Sequence, residues 1–145
     1  MKALIQRVKN ASVSIDGKIY SSIGFGMLIF LGVEKTDEPE NAKKLAERLI
    51  NLRIFEDENE KMNKSLLDVK GEILVVSQFT LAGDCKKGTR PSFDKAASAD
   101  KAEKLYEDFV KIISQYELTV KTGKFQAMMD ISLVNQGPVT FMVEK

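Results

Sequence analysis

Alternating apolar and polar positions dominate the start of the chain and predict antiparallel strands. Residues 2–8 are apolar enough for a strand, and positions 12–15 alternate with period two ahead of another short apolar run. Asp16 and Gly17 separate these two runs, and both residues tolerate the positive φ that a two-residue hairpin turn requires. The apolar run 25–33 is typical of a strand buried on both faces. We therefore expect three consecutive strands.

Two later stretches show the spacing of amphipathic helices. Apolar residues recur at i, i+3, i+4, i+7 and i+8 within positions 42–50, and Asp37 with Glu40 forms a capping-box-like pair before them. The second stripe occupies positions 102–113 and follows Ser98, a residue suited to the N-cap. Each helix offers one apolar face that can pack on a sheet.

The remaining apolar segments predict further strands, at 73–81, 118–122, 128–134 and 139–144. The polar stretch 56–65 is expected to be either a plain loop or a loop with a short ribbon, and the glycine-containing stretch 83–92 is expected to be a loop. The whole pattern predicts a single α+β domain over residues 1–145. A strand-dominated sheet or barrel should carry the two amphipathic helices packed on it.

Composition narrows the class of protein. With 43% hydrophobic and 30% charged residues, the chain has the make-up of a globular protein. Its 22 basic and 21 acidic side chains give a net charge of +1. The protein could therefore bind nucleic acid only through a local basic patch. The single cysteine excludes an intrachain disulfide framework. The apolar runs are too short for a membrane span, and the strand-like start predicts no signal peptide.

The chain contains no histidine. This absence excludes Ser-His-Asp and Cys-His nucleophile systems, HExxH metalloproteases and Cys2His2 zinc sites. It also removes the side chain that most often serves as a general base near neutral pH. Any hydrolysis must therefore use carboxylates, backbone groups or chemistry that the substrate supplies.

A glycine-flanked loop concentrates basic residues. Lys86, Lys87 and Arg90 lie within five positions, and they form either a solvated surface loop or a patch that contacts the phosphates of an RNA end. Cys85 lies beside them, but no second cysteine or histidine accompanies it, so we expect no catalytic thiol. The G-x4-G spacing resembles a P-loop, yet Thr89 replaces the lysine that would reach the phosphates.

Polar residues end the apolar strand predicted at 73–81. Strand alternation would place Ser77 and Phe79 on one face and Gln78 and Thr80 on the other. This segment is either a sheet rim or a substrate-binding strand end whose backbone N–H groups face a carbonyl oxygen. Thr80 is a candidate nucleophile, but the sequence offers no evident base to activate its hydroxyl.

The segment Asn135–Thr140 is a second polar constellation, NQGPVT. Between two strands it is most simply a turn, because Gly137 permits unusual φ values and Pro138 fixes its own. A Gly-Pro bond can also be cis, which would turn two carbonyl groups in the same direction. Such an element could test the shape of a ligand.

Together these motifs resemble the D-aminoacyl-tRNA deacylases, formerly called D-tyrosyl-tRNA deacylases. The resemblance rests on SQFTLA at 77–82, RPSF at 90–93 and NQGPVT at 135–140. Further matches are ALIQRV at 3–8, LGVEK at 31–35, KMN at 61–63 and ISLVN at 131–135. The matches extend from one end of the chain to the other.

The resemblance implies a deacylase-like fold and a homodimeric, cytoplasmic editing enzyme. Such an enzyme hydrolyses the ester that joins a D-amino acid to the 3′ end of tRNA. In the family the Gly-Pro bond is cis and reaches into the pocket of the partner subunit, where its carbonyl groups exclude L side chains. Glycine has no side chain to exclude, so mischarged glycyl-tRNA is an expected second substrate. No membrane association is implied.

The resemblance also implies roles for individual residues. The pocket would be lined by Ser77, Gln78, Phe79 and Thr80, with the main-chain N–H groups of Phe79 and Thr80 near the ester carbonyl. The expected substrate-binding residues are Arg7, which would brace the Gly-Pro pair, Phe125 and Met129, which would help receive the terminal adenosine, and Gly137, Pro138 and Val139. The expected RNA-contacting residues are Lys86, Lys87 and Arg90.

The family is thought to use the 2′-hydroxyl of the tRNA to help activate water, which agrees with the absence of histidine. It requires no metal and no cofactor, and the sequence shows no cluster of metal ligands. Two other interpretations stay open from the residues alone. One is a non-catalytic dimeric RNA-binding or structural β module, and the other is a general esterase that uses Thr80.

Overall fold

The computed structural model describes residues 1–145 as a strand-dominated sheet with helices packed on it. The strands are β1 (Lys2–Ile15), β2 (Lys18–Ile23), β3 (Gly26–Gly32), β4 (Phe55–Glu56), β5 (Met62–Lys64), β6 (Glu72–Ser77), β7 (Val120–Thr122) and β8 (Asp130–Glu144). The helices are α1 (Pro39–Ile50), α2 (Leu66–Val69) and α3 (Ala99–Ile113), and a 3₁₀ turn spans Phe79–Ala82. None of the helices is long and apolar enough to cross a membrane.

Strand β1 is the centre of the six-stranded sheet. It pairs antiparallel with β3 and β2 along one edge and with β8 along the other. Strands β3, β6 and β7 continue the sheet in parallel. The sheet curves towards a barrel, and the Ser21 hydroxyl on β2 donates to the Thr122 carbonyl on β7 at 2.8 Å across the remaining gap. Strands β4 and β5 form a separate two-stranded ribbon.

The main core lies between one face of the sheet and helices α1 and α3. Both helices bury an apolar stripe there, which explains their sequence periodicity. Side chains that point to the opposite face of the sheet form a second, smaller cluster, including Val8, Leu28 and Leu74. The predicted α+β class and the two amphipathic helices are confirmed.

The start of the chain follows the predicted hairpin. Asp16 and Gly17 have φ values of +50° and +74°, as a two-residue turn between β1 and β2 requires. The predicted cap of α1 is wrong. Glu38 is the N-cap, and it exchanges hydrogen bonds with Asn41. Asp37 is instead buried, where its carboxylate accepts from the amino group of Met1 and the N–H of Glu34.

The strand predicted at 73–81 is too long. Strand β6 ends at Ser77, and the chain then turns, with the Leu81 N–H donating to the Gln78 carbonyl at 3.2 Å. The turn packs closely on the end of β3, where a Cβ on Gly32 would lie 2.9 Å from the Cβ of Leu81. The alternating faces expected for residues 77–80 therefore do not exist. Tertiary packing overrides the apolar pattern here.

The strands predicted at 128–134 and 139–144 are a single strand, β8. Its pairing with β1 shifts register at two neighbouring places, between Gln6 and Val8 and between Val8 and Asn10. At the larger shift, Gln6 faces Thr140 and Val8 faces Asn135. Residues 136–139 thus loop out opposite one residue of β1, Arg7. Since the flanking segments keep their hydrogen-bonded register with β1, the element is a large bulge and not a turn between two strands.

Candidate functional site

A cavity of about 790 Å³ lies where the ends of β3 and β6 meet the start of α3 and the segment before β8. Most of its lining is apolar. The lining residues are Leu31, Val33, Val76, Ser77, Gln78, Phe79, Ala97, Ala99, Ala102, Phe125, Gln126, Ala127, Met128, Met129 and Ile131. No acidic or basic side chain is among them, so a reaction in this cavity has no side-chain general acid or base in its wall.

The 3₁₀ turn presents backbone donors at one side of this cavity. The Gln78 N–H donates to the Leu31 carbonyl at 2.8 Å and anchors the turn to β3. The first internal bond of the turn uses the N–H of Leu81, so the turn itself leaves the N–H groups of Phe79 and Thr80 unused. Two adjacent free N–H groups on an anchored turn can bind a carbonyl oxygen that becomes negative during ester hydrolysis.

The Thr80 hydroxyl has no base beside it. Its hydrogen-bond partner is the side-chain amide of Gln78, whose Nε2 donates to the Thr80 Oγ1 at 2.5 Å. An amide N–H supplies a proton and cannot withdraw one. The Thr80 oxygen is therefore held as an acceptor and is not activated as a nucleophile.

The basic loop is attached to the 3₁₀ turn by an aromatic contact. The rings of Phe79 and Phe93 meet edge to face with centroids 5.1 Å apart. Asp84 and Ser92 exchange backbone hydrogen bonds at the base of the loop. Lys86 and Lys87 line a polar cavity of about 330 Å³, together with Asp84, Ser92, Asp94 and Lys95. Arg90 is exposed and does not line either cavity.

The Gly137–Pro138 bond is cis and lies in the bulge of β8. The Asn135 side chain closes the base of this bulge, because its Nδ2 donates to the carbonyls of Arg7 and Val139 at 3.2 and 3.0 Å. Val139 is buried in the main core, at 1% exposure. A Cβ added to Gly137 would meet only the Asn135 Oδ1, at 3.7 Å, so nothing in its own chain requires glycine there.

Arg7 lies under the bulge and is buried, with 1% of its surface exposed. Its guanidinium donates to the Ile54 carbonyl at 2.8 Å and to the Glu56 carboxylate at 2.9 Å. Its Nε has no partner within the chain. Within one chain, Arg7 is connected to the Gly-Pro element through its backbone carbonyl, which accepts a hydrogen bond from the Asn135 side chain.

The structure therefore brings some of the predicted site residues together and separates others. Ser77, Gln78, Phe79, Phe125 and Met129 share the apolar cavity, and Thr80 follows them on the turn. The predicted substrate-binding residues outside the cavity lining are Arg7, Gly137, Pro138 and Val139. On β8, Ile131 lines the cavity of its own chain, whereas Gly137 is six residues further on, roughly 20 Å along a strand.

Comparison with known proteins decides the family. Residues 4–144 match the family model described as D-Tyr-tRNA(Tyr) deacylase. The chain belongs to this family. It is 58% identical to a D-aminoacyl-tRNA deacylase of Thermosipho africanus over 144 residues, which cover 99% of the chain and 97% of the relative. It is 56% identical to one of Thermodesulfovibrio yellowstonii over 143 residues, covering 99% and 98% of the two chains.

The fold comparison finds a structural match over the full length of the chain. A solved structure described as "c-Myc DNA Unwinding Element Binding Protein" superposes with a TM-score of 0.94 at 40% identity, covering 100% of this chain and 99% of that one. Because the family model and the relatives at 56–58% identity are deacylases, the chain is an enzyme, a hydrolase that acts on charged tRNA. The deacylase assignment replaces the two alternative interpretations, a non-catalytic module and a general esterase.

Sequence reasoning missed three residues that shape the site. Phe93 belongs to the quoted RPSF motif, but its packing on Phe79 required a structure. Asn135 belongs to NQGPVT, and an asparagine two residues before a Gly-Pro pair can hydrogen-bond the backbone on the far side of that pair. Tyr106 falls within the apolar stripe 102–113, but its hydroxyl donates to the Val75 carbonyl on β6.

Proposed function

We propose that the enzyme removes D-amino acids from the 3′ end of tRNA and excludes L-amino acids with the Gly137–Pro138 pair of a partner subunit. Water adds to the ester carbonyl, the ester C–O bond breaks, and the products are the free D-amino acid and tRNA. The observation that carries the proposal is the separation of two parts of one site. The cavity and its N–H donors lie at one place on the chain, and the Gly-Pro bulge lies at another.

A two-fold dimer would bring these two parts together, since each subunit would offer its bulge to the cavity of the other. Strand β8 supports such an arrangement because it is the edge strand beside β1. It also exposes large apolar side chains, among them Val134, Phe141 and Met142. Exposed apolar residues on an unpaired sheet edge are suited to burial against a second copy.

The chemistry would then rely on backbone donors and on the substrate. The N–H groups of Phe79 and Thr80 would stabilise the oxyanion, each by about 3–4 kcal/mol when well placed. The tRNA 2′-hydroxyl would assist the attacking water, because the cavity wall offers no acid or base. Phe125 and Met129 would receive the terminal adenosine between apolar surfaces.

Selection by exclusion also accounts for a broad substrate range. Arg7 would support the Gly-Pro pair from below, and Gly137 would leave room for the backbone of any D-aminoacyl group. Glycyl-tRNA would pass the same test because it has no side chain to reject. Lys86, Lys87 and Arg90 would contact tRNA phosphates beside the cavity, and the enzyme would act in the cytoplasm, where charged tRNA is used.

Mixed dimers test the division of the site between subunits. Gly137→Ala adds a methyl group to the bulge, and Ala99→Trp fills the cavity from an exposed position at the start of α3. Each homodimer should lose most of its activity on D-aminoacyl-tRNA. Mixing and reassociating the two variants should recover roughly a quarter of the wild-type rate, since half of the dimers would each hold one intact site.

Recovery would fail if cavity and bulge served the same subunit, because every site would then carry a defect. The matched control mixes Gly137→Ala with a second Gly137→Ala preparation and should show no recovery. A parallel assay with L-aminoacyl-tRNA measures the chiral selectivity. Equal hydrolysis of both enantiomers by the wild-type enzyme would overturn the proposal.

A further inference from the structure

Tyr106 joins three segments of the molecule at one buried point. It lies on α3 and is 6% exposed, and its hydroxyl donates to the carbonyl of Val75 on β6 at 2.9 Å. The same carbonyl accepts the N–H of Gly123, also at 2.9 Å. The Val75 oxygen thus holds a hydrogen bond from each of two different segments, which uses both of its lone pairs.

The two segments joined at Val75 both lead into the apolar cavity. Val75 is two residues before Ser77, where the wall that carries the backbone donors begins. Gly123 is two residues before Phe125, which also lines the cavity. The Tyr106 ring also touches Phe125 directly, with ring centroids 5.9 Å apart and planes inclined by 45°. One side chain therefore contacts Phe125 and fixes the strand that leads to the donors.

The segment after Gly123 is held by few other bonds. The Lys124 N–H donates to the Met129 sulfur at 3.3 Å, and a Cβ on Gly123 would lie 2.8 Å from that sulfur. The segment 124–129 forms no strand or helix of its own. Its position relative to β6 thus depends on the Val75 carbonyl, the Met129 thioether and the Tyr106 ring.

We propose that Tyr106 is a positioning residue that sets the distance between the Phe125 wall of the cavity and the donor turn that follows β6. This inference rests on the proposed role of Phe125 in receiving the terminal adenosine. The hydroxyl is suited to a permanent donor role, because burial raises the pKa of Tyr106 and keeps the group protonated. Without the hydroxyl, the Phe125 segment should shift and bind adenosine less well.

Tyr106→Phe tests this role, since it removes one oxygen and keeps the ring. The matched control is Tyr116→Phe, because Tyr116 also packs on the main core but does not line the cavity. We expect Tyr106→Phe to raise KM for D-aminoacyl-tRNA by roughly three- to tenfold, the effect of one ordinary hydrogen bond. kcat should change much less, and the preference for D over L substrate should be kept.

Adenosine 5′-monophosphate provides a readout that fold stability alone would not move. Its inhibition constant against D-aminoacyl-tRNA should rise in Tyr106→Phe by about the same factor as KM and stay unchanged in Tyr116→Phe, with thermal melting recorded for both. Gly123→Ala is a second variant, because its methyl group would push the Met129 sulfur and should weaken nucleotide binding from the other side. A Tyr106→Phe enzyme with wild-type KM and inhibition constant would overturn the inference.

Phe125→Ala separates this inference from the function on which it rests. If Phe125→Ala weakens binding of the nucleotide and Tyr106→Phe does not, only the role of Tyr106 is wrong. If neither change affects nucleotide binding, the proposed adenosine site at Phe125 is wrong, and the role of Tyr106 falls with it. Hydrolysis of D-aminoacyl-tRNA by the wild-type enzyme is measured in the same series and is independent of both outcomes.

Discussion

The side-chain amide of Asn135 and the main-chain carbonyl of Val139 are joined by a 3.0 Å hydrogen bond across the base of the β8 bulge. The same amide also donates to the Arg7 carbonyl on β1. The base of the bulge that carries Gly137 and Pro138 is therefore fixed to the central strand. A Cβ added to Gly137 would contact only the Asn135 Oδ1, at 3.7 Å. A fixed root with an open tip suits a part of the molecule that acts on something outside its own chain.

Gly137→Ala should abolish most activity without destabilising the protein. A Cβ at this position has ordinary space within the chain, so the melting temperature should stay near the wild-type value. In the proposed dimer the methyl group would intrude into the substrate site, and crowding of about 1–3 kcal/mol corresponds to roughly 5- to 150-fold in kcat/KM. Steady-state assays with D-aminoacyl-tRNA and thermal melting check the two halves of the prediction.

Gly26→Ala is the contrasting control for Gly137→Ala, because it should change thermal stability. Its Cβ would lie 1.9 Å from the Glu72 carbonyl oxygen on the neighbouring strand, so the backbone of β3 and β6 would have to separate. We expect a clear loss of thermal stability at Gly26 and none at Gly137. Full activity in Gly137→Ala would contradict the proposed place of this residue in the site.

Asn135→Asp should relax chiral selectivity. A carboxylate offers no N–H donor and would face the carbonyls of Arg7 and Val139, so the root of the bulge would loosen. The ratio of kcat/KM for D- over L-aminoacyl-tRNA should fall by roughly tenfold, which corresponds to about 1.4 kcal/mol and is the scale of losing one to two neutral hydrogen bonds. Asn51→Asp is the control, because Asn51 also donates to a carbonyl, that of Glu47, far from the site. An unchanged ratio would show that the Asn135 hydrogen bonds do not matter.

Thr80→Val should keep most of the activity. The Thr80 oxygen accepts from Gln78 and has no base beside it, so its removal should lower kcat by only a few-fold. A nucleophile or general base would instead cost about 100-fold or more. The same assay with a chelator tests for a required metal ion, and full activity is expected because no cluster of acidic or cysteine side chains is positioned to bind one. Loss of activity in either experiment would revive the corresponding mechanism.

A D-aminoacyl-tRNA that ends in 2′-deoxyadenosine should be hydrolysed much more slowly. The apolar cavity is lined by no acidic or basic side chain, so the proposed mechanism assigns assistance of the attacking water to the 2′-hydroxyl. Its loss should lower kcat by roughly 100-fold, in the range of general acid–base effects. A tRNA with the deoxy sugar one nucleotide earlier is the control and should react normally. Equal rates on the two substrates would count against substrate assistance.

Replacement of Lys86, Lys87 and Arg90 by alanine should weaken tRNA binding and leave chirality unaffected. Each lost phosphate contact should reduce the slope of log affinity against log salt by about 0.7–0.9. KM should therefore rise most at low salt, with the D/L ratio unchanged. The control replaces Lys43, Lys44 and Arg48, exposed basic residues of α1, and matches the change in net charge. If both triple variants behave alike, the loop makes no specific contact.

Much of the architecture follows from the sequence because it depends on local patterns. Period-two alternation and an Asp-Gly turn predict the β1–β2 hairpin, since those residues accept the φ values of the turn at little cost. The stripes of α1 and α3 predict both helices because each buries one face in the core. The SQFTLA and NQGPVT motifs, read together, predict the deacylase family, and the family comparison confirms it.

The tertiary structure alone decided how those motifs are used. The 3₁₀ turn at Phe79–Ala82 exists because the chain packs against the end of β3, a contact that alternation within residues 73–81 cannot show. The bulge in β8 depends on register with β1, so NQGPVT was expected to be a turn. The hydroxyl of Tyr106 joins residues more than thirty positions apart in the chain. Contacts between distant segments arise from packing and strand register. A linear pattern of apolar and polar residues does not show which individual residues will meet.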